Sequence, residues 1–318
     1  MLIAVQRKVL TYLFNLFPQY ETEKARRALS KEAIPTEEEK VYTRLKHAEE
    51  AFSEEMETNS FPWIPTDLLR AKHVLDLGCD VGGRSVAWAQ IFGFGKLAGV
   101  ETTPEAVSAA RTFAERKGVC ADFRVGYGED MPFESETFDA VMSNDVLEHV
   151  RSPEHTLAEC ARVLKPGGVA ILRFPQRLHP FESHLGHITN PYFPFHWAFS
   201  PKAIRQAYCE TVIERGIFEG YKCEPWEWLP TLNGLSVRAF RRLLRDMGWT
   251  IAHWEVHSYC RRRFRPLGAV LRRMASIPLV EEVLLHRICA ILRRPEVIPA
   301  REAIPGGREI RRSPSDPE

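Results

Sequence analysis

The stretch VLDLGCDVGG, Val74 to Gly83, decides how the chain is read. Val74, Leu75 and Leu77 form an apolar run that enters a bend carrying Gly78, Gly82 and Gly83, as a strand does when it delivers the chain to a ligand. Glycine at 78 and 82 lets the backbone turn sharply and lie close to whatever binds there. Asp80 stands where a third glycine is expected. Aspartate tolerates left-handed backbone angles better than most residues that carry a Cβ.

Outward from the bend, strands and helices alternate. KHVLDLG supplies a first strand and Arg84 to Phe92 a helix; KLAGVE, 96–101, is a second strand. TPEAVSAARTFAERKG, 103–118, predicts a helix with Thr103 as N-cap, Pro104 in its first turn and Gly118 as its stop. ADFRVG (121–126) and FDAVMSN (138–144) are the third and fourth strands. SPEHTLAECARVLKPGG (152–168) predicts a helix that opens Ser-Pro and closes in glycine, and VAILRFP (169–175) is the fifth strand. Strict alternation requires crossover connections, hence a parallel sheet covered on both faces. Further on, SVRAFRRLLRDMGWTIAHWEVHSY (236–259) adds a helix and a strand, and HRICAILRR (286–294) a last strand.

With 318 residues the chain can bury a substantial core, and a net charge of +1 gives no general pull toward nucleic acid. The seven cysteines are odd in number and form no CxxC, which argues against a disulfide framework or a zinc site and suits a reducing cytoplasm. No metal is expected. No stretch approaches the roughly 20 apolar residues that cross a bilayer. In MLIAVQRKVLTYLFNLF, Gln6-Arg7-Lys8 interrupts the apolar run and no small-residue cleavage site follows. Leu2, Val9, Leu13, Leu16 and Phe17 recur there at helical spacing. Two readings stay open: a helix docked on its own domain, or one lying on a membrane surface.

A doubly wound sheet binds ligands beyond the carboxyl ends of its strands, where strand order reverses. Glu101, about twenty positions past the bend and ending the second strand, suits the paired hydroxyls of a ribose. A dinucleotide fingerprint reads GxGxxG and lays a pyrophosphate on the following helix. This chain reads GxDxGG, which sets a carboxylate where that phosphate would lie. S-adenosylmethionine carries no phosphate and brings an ammonium that a carboxylate can meet, so Asp80 suits it and disfavours NAD.

The run VLDLGCDVGG…GVE…GYGEDMPF…FDAVMSNDVLEHV…ARVLKPGGVAIL resembles the class I S-adenosylmethionine-dependent methyltransferases, in the broad group of small-molecule and ubiquinone/menaquinone-type enzymes. The resemblance implies an α/β fold with a Rossmann-like, doubly wound seven-stranded sheet, mostly parallel with an antiparallel last strand. It implies a cofactor site of Asp76, Gly78, Cys79 and Gly82 at the methionine end, where Asp80 departs from the family by replacing the usual glycine, and of Glu101 with Thr102 at the ribose. Tyr127, Gly128 and Glu129 would flank the adenine, and Asn144 would lie by the sulfonium. Tyr127 departs from the aspartate or asparagine that often bonds the adenine amine, and stacking is the role left to it. The expected organisation is a helical leader over 1–70, the cofactor-binding core over 71–175, a substrate lid over 176–232, completing helices and strands over 233–298, and a disordered tail over 299–318.

Methyl transfer to a hydroxyl or amine is helped by a base near neutral pKa, and histidine is the usual choice. Four of the eleven histidines, His179, His184, His187 and His196, fall in HPFESHLGHITNPYFPFHW, in the segment where relatives insert a lid. His184 and His196 are the candidates there, and His149, just past the fourth strand, is the third; packing roles remain open for each. Phe181, Tyr192, Phe193, Phe195, Trp197, Phe199, Trp226 and Trp228 suit either a small lid core or an apolar acceptor pocket. Arg261 to Arg273 places six arginines on thirteen residues. This is either a solvated basic face or, with the N-terminal helix, a contact for anionic lipid or a phosphate-bearing acceptor. The expected reaction is O-methylation of a small or lipid-linked metabolite, with C-methylation of a quinone-like ring, or a retired cofactor-binding regulator, as the alternatives. Sequence leaves the oligomeric state open.

Overall fold

The computed structural model describes residues 2–16, 37–177, 185, 189, 194–214, 233–257, 277 and 287–296. The chain divides into two compact units. The first comprises Met1–Lys40, Pro175–Val237 and Val256–Ile288; the second comprises Val41–Phe174, Arg238–Glu255 and Cys289–Glu318.

The second unit holds the sheet. Its strands are β1 (His73–Leu77), β2 (Lys96–Glu101), β3 (Ala121–Val125), β4 (Phe138–Asn144), β5 (Leu164–Pro175), β6 (Thr250–His257) and β7 (Arg287–Arg293), in the order β3-β2-β1-β4-β5-β7-β6. β1 pairs in parallel with β2 and with β4, and β4 in parallel with β5. The sheet is mostly parallel, with the antiparallel strand at the end of the chain. Chain order reverses between β1 and β4, so the crevice beyond Leu77 and Asn144 is where such a sheet receives a ligand.

Apolar strand runs set the core. Val74, Met142 and Ile171 pack with Trp88 and Phe92 of helix Gly83–Phe92, while Leu97 and Phe123 pack with Val107, Ala110 and Phe113 of helix Pro104–Arg116. Each of these large side chains is essentially excluded from water, worth roughly 2–3 kcal/mol apiece. Helix Glu37–Thr58, within the helical leader expected over 1–70, joins this core through Leu45 and Ala48. Phe52 meets Phe113 edge-on at 5.9 Å, and Lys117 bonds Glu49 at 2.7 Å. The buried Glu55 carboxylate closes the turn after that helix by accepting from the Ser60 hydroxyl at 2.7 Å.

One element differs from expectation. The helix that opens at Ser152, whose side chain accepts from the His155 amide, ends at Val163 and does not continue to Gly168. Pro166 disfavours helical backbone at Lys165 and offers no N–H of its own. Leu164 instead pairs with Phe138, and the whole of Leu164–Pro175 is strand.

In the first unit, α1 (Leu2–Leu16) packs against α8 (Pro201–Glu214). In chain order the other helices are α2 (Glu37–Thr58), α3 (Thr66–Leu69), α4 (Gly83–Phe92), α5 (Pro104–Arg116), α6 (Pro153–Val163), α7 (Phe195–Ala198) and α9 (Val237–Asp246). Leu10 and Phe14 of α1 are buried with Phe195, Ala203, Ala207 and Tyr208. Arg7 bonds Glu210 at 2.7 Å, and the Ser200 hydroxyl donates to Gln6 at 3.0 Å. The buried face is thus Leu10 and Phe14, while Leu2, Val9 and Leu16 of the expected stripe point outward.

Candidate functional site

Four strand ends build the site. Beyond β1 the chain turns through Gly78 at φ 79°, Asp80 at φ 47° and Gly82 at φ 78°, all in the left-handed region. A Cβ at Gly78 would overlap Val146, one at Gly82 would meet Ala110 at 2.8 Å, and one at Gly83 would overlap the Ala48 carbonyl of α2. The bend is therefore wedged between the loop after β4 and two helices, and only glycine fits at these points. The Gly78 and Cys79 amides both donate to the Val100 carbonyl, which fastens the bend to β2.

Asp76 is buried and accepts a 2.5 Å hydrogen bond from the Ser85 hydroxyl. Burial pushes its carboxyl up to about 7; the charges of Glu101 and Asp80 push the same way, against the Ser85 bond and the Arg84 charge. Asp80 is also raised, chiefly by burial, with His47 of α2 opposing from 3.9 Å. Cys79 is buried and its thiol is held protonated, first by burial and then by the same carboxylates. Glu101 ends β2. Its Oε1 accepts from the Thr102 amide at 2.7 Å and the Thr102 hydroxyl at 2.8 Å, and its Oε2 from the Asp80 amide at 3.2 Å. That leaves carboxylate lone pairs for a diol at the rim of the bend.

At the end of β4, Asn144 accepts from Arg173 at 2.7 Å and donates to Asp145 at 3.2 Å, so its amide is oriented by the neighbouring strand. Past β3, the Tyr127 ring is half-exposed with the Arg151 guanidinium 5.6 Å from its centre. A Cβ at Gly128 would come within 3.2 Å of Thr156 and 3.4 Å of Leu77, a tight fit. The Glu129 carboxylate is turned into the fold: it is buried and accepts from the Arg151 amide at 2.7 Å and the Ser152 amide at 3.1 Å, ahead of α6.

His149 lies on the loop after β4, with Nε2 3.6 Å from the buried Glu148 carboxylate. His196 belongs to α7 in the other unit, its ring edge-on to Trp197 at 6.2 Å. His184, Trp226, Trp228 and Arg261 to Arg273 lie outside the described residues. Sequence reasoning missed Ser85, His47 and Arg173. Ser85 lies two residues past the glycine pair and Arg173 sits in register with Asn144. His47 arrives from a helix more than thirty residues upstream with no local signal.

The residues present suit S-adenosylmethionine. The Asp76, Asp80 and Glu101 carboxylates, set around a bend walled by backbone, favour a ligand bringing positive charge and repel phosphate. Among the described residues no cluster of metal-ligating side chains occurs.

Comparison with known proteins agrees. Residues 75–172 match the family model described as a methyltransferase domain. The ubiquinone biosynthesis O-methyltransferase of Cereibacter sphaeroides is 32% identical over 128 residues, 40% of this chain and 50% of that one. That of Xanthomonas oryzae is 37% identical over 33% of this chain and 43% of its own. Norajmaline N-methyltransferase of Rauvolfia serpentina is 34% identical over 34% and 38%. The chain thus spans half or less of the length of these curated relatives. A solved S-adenosylmethionine-dependent methyltransferase from Mesorhizobium loti superposes with a TM-score of 0.47 at 16% identity, covering 73% of this chain and 94% of that one. What the comparisons place on this chain is therefore a match to a methyltransferase domain over residues 75–172.

Proposed function

We propose that this chain transfers a methyl group from S-adenosylmethionine to a hydroxyl oxygen of a small-molecule or lipid-linked acceptor. The observation that carries the reading is the Glu101 carboxylate held against the Asp80 amide, at the reversal point of the sheet and beside the buried Asp76. When bound, the cofactor supplies a methyl group activated by a positive sulfur. The chain's own part is to hold that methyl and the acceptor in line and away from water, a positioning effect worth up to roughly 7–11 kcal/mol.

Asn144, oriented by Arg173, and Asp76, oriented by Ser85, are the groups to fix the cofactor's cationic end. Glu101 takes the ribose hydroxyls, and Tyr127 with Gly128 borders the base. His149 is the candidate to accept the acceptor's proton, because it follows the cofactor strand directly and a buried carboxylate lies within 3.6 Å to stabilise its charged form. His196 and His184 are further candidates from the sequence pattern. Two of the relatives named above are O-methyltransferases and one an N-methyltransferase, so the matched residues serve both atoms and the oxygen is the finer part of the reading.

Incubation with methyl-labelled S-adenosylmethionine and fractionated cell extract tests it. Label on the oxygen of an extractable metabolite is the expected result. Label on carbon or nitrogen removes the oxygen assignment, and no transfer to any fraction removes the activity.

A further inference from the structure

Helix α1 has two apolar faces, and only one is used by the fold. Leu10 and Phe14 are wholly buried, whereas Leu2, Val5, Val9, Tyr12 and Leu16 are 71, 55, 44, 66 and 51% exposed. Those five recur at steps of three, four, three and four, which sets them in one stripe along about 22 Å of helix. Exposed singly, apolar side chains are ordinary; a stripe of five on one helix marks a surface that something covers.

We infer that this outward face of α1 lies on the surface of an anionic lipid bilayer. Charge selects that partner. The helix LIAVQRKVLTYLFNL contains no carboxylate, and its two cations are Arg7, bonded to Glu210, and Lys8, which is exposed beside the stripe. Exposed Lys202 and Arg205 on α8 add positive charge to the same unit, and Trp197 of α7, 48% exposed, adds an aromatic of the kind that settles at a membrane interface. An apolar stripe with basic flanks and no acid is the pattern of a helix lying in the interface plane, its apolar side sunk about 5–10 Å. No described helix is long and apolar enough to cross a bilayer. A second copy of the chain is the weaker occupant. Five side chains on one four-turn helix fall short of the roughly 20–30 residues a side in a stable interface, and a paired α1 would offer Lys8 no carboxylate. The inference stands apart from the methyl-transfer reading.

Flotation of the full chain with vesicles of equal parts phosphatidylcholine and phosphatidylglycerol, against phosphatidylcholine alone, is the test. The chain should float with the mixed vesicles and much less with the neutral ones. Val5→Gln with Val9→Gln should lower partitioning by roughly tenfold or more, with thermal unfolding unchanged because both side chains point outward. Lys8→Glu should weaken binding to the mixed vesicles only. If the double variant unfolds, Val9→Gln alone should still lower partitioning. Failure of the wild type to bind either lipid, equal binding to both, or unaltered partitioning of the folded valine variants would overturn the inference. So would a dimer that the valine variants split without affecting flotation, which would assign the stripe to a second copy.

Discussion

The Asp80 amide donates to Glu101 Oε2 across 3.2 Å, joining the bend after β1 to the end of β2. The carboxylate that would meet a ribose is therefore also a brace of the bend. Glu101→Ala should weaken S-adenosylmethionine binding by about tenfold to a hundredfold, the value of losing one or two hydrogen bonds to a charged acceptor. Titration calorimetry checks it. Unchanged affinity would remove the ribose assignment.

Asp76 makes cofactor binding depend on pH. Between its ordinary 3.8 and about 7, the folded chain keeps a proton that the unfolded chain has released. For stability the sign follows directly: lowering pH through 7 relieves a buried charge, so this group's contribution to stability rises on acidification. For binding a cationic ligand the sign is opposite, because the ionised form is the one that binds. Affinity should fall as pH drops below about 7, by up to about tenfold per unit, and level off above it. Calorimetry in buffers of different ionisation heat should register proton release on binding at pH 6, and Asp76→Asn should abolish that release.

Gly83→Ala should cost about 1–3 kcal/mol, because the added Cβ overlaps the Ala48 carbonyl and backbone cannot step aside cheaply. It should also loosen α2 from the bend and weaken cofactor binding. Gly118→Ala is the control: φ there is 68° but the space is open, so the cost is backbone strain of about 1–2 kcal/mol with cofactor affinity unchanged. Thermal unfolding and calorimetry together separate the two.

Glu129→Gln tests which duty that residue performs. Its carboxylate accepts from the amides of Arg151 and Ser152, so the substitution should lower stability by about 1–2 kcal/mol. Cofactor affinity should move far less than in Glu101→Ala. A large loss of affinity with unchanged stability would return Glu129 to the cofactor.

The sheet and much of the bend were legible because strands buried on both faces read as short apolar runs stopped by glycine, and Thr103-Pro104 and Ser152-Pro153 mark helix starts. Asp76, Glu101 and Asn144 were legible as polar residues at or near strand ends. What stayed hidden depends on partners distant in sequence. His47 and Ala48 reach the bend only through packing of α2, and the Glu129 carboxylate turns inward because amides ahead of α6 lie there. Val163 ends its helix where Pro166 disfavours helical backbone at Lys165 and β4 offers Leu164 a ladder, and only the first of these is local. In α1 both faces are apolar, so periodicity found a helix but could not say that Leu10 and Phe14 go inside.

The most direct measurement is a calorimetric titration of the full chain with S-adenosylmethionine, repeated with NAD. Saturable binding of S-adenosylmethionine, undisturbed by excess NAD and weakened by Glu101→Ala, is the predicted result. NAD competing for the same bend, or no binding of S-adenosylmethionine at all, would contradict the account.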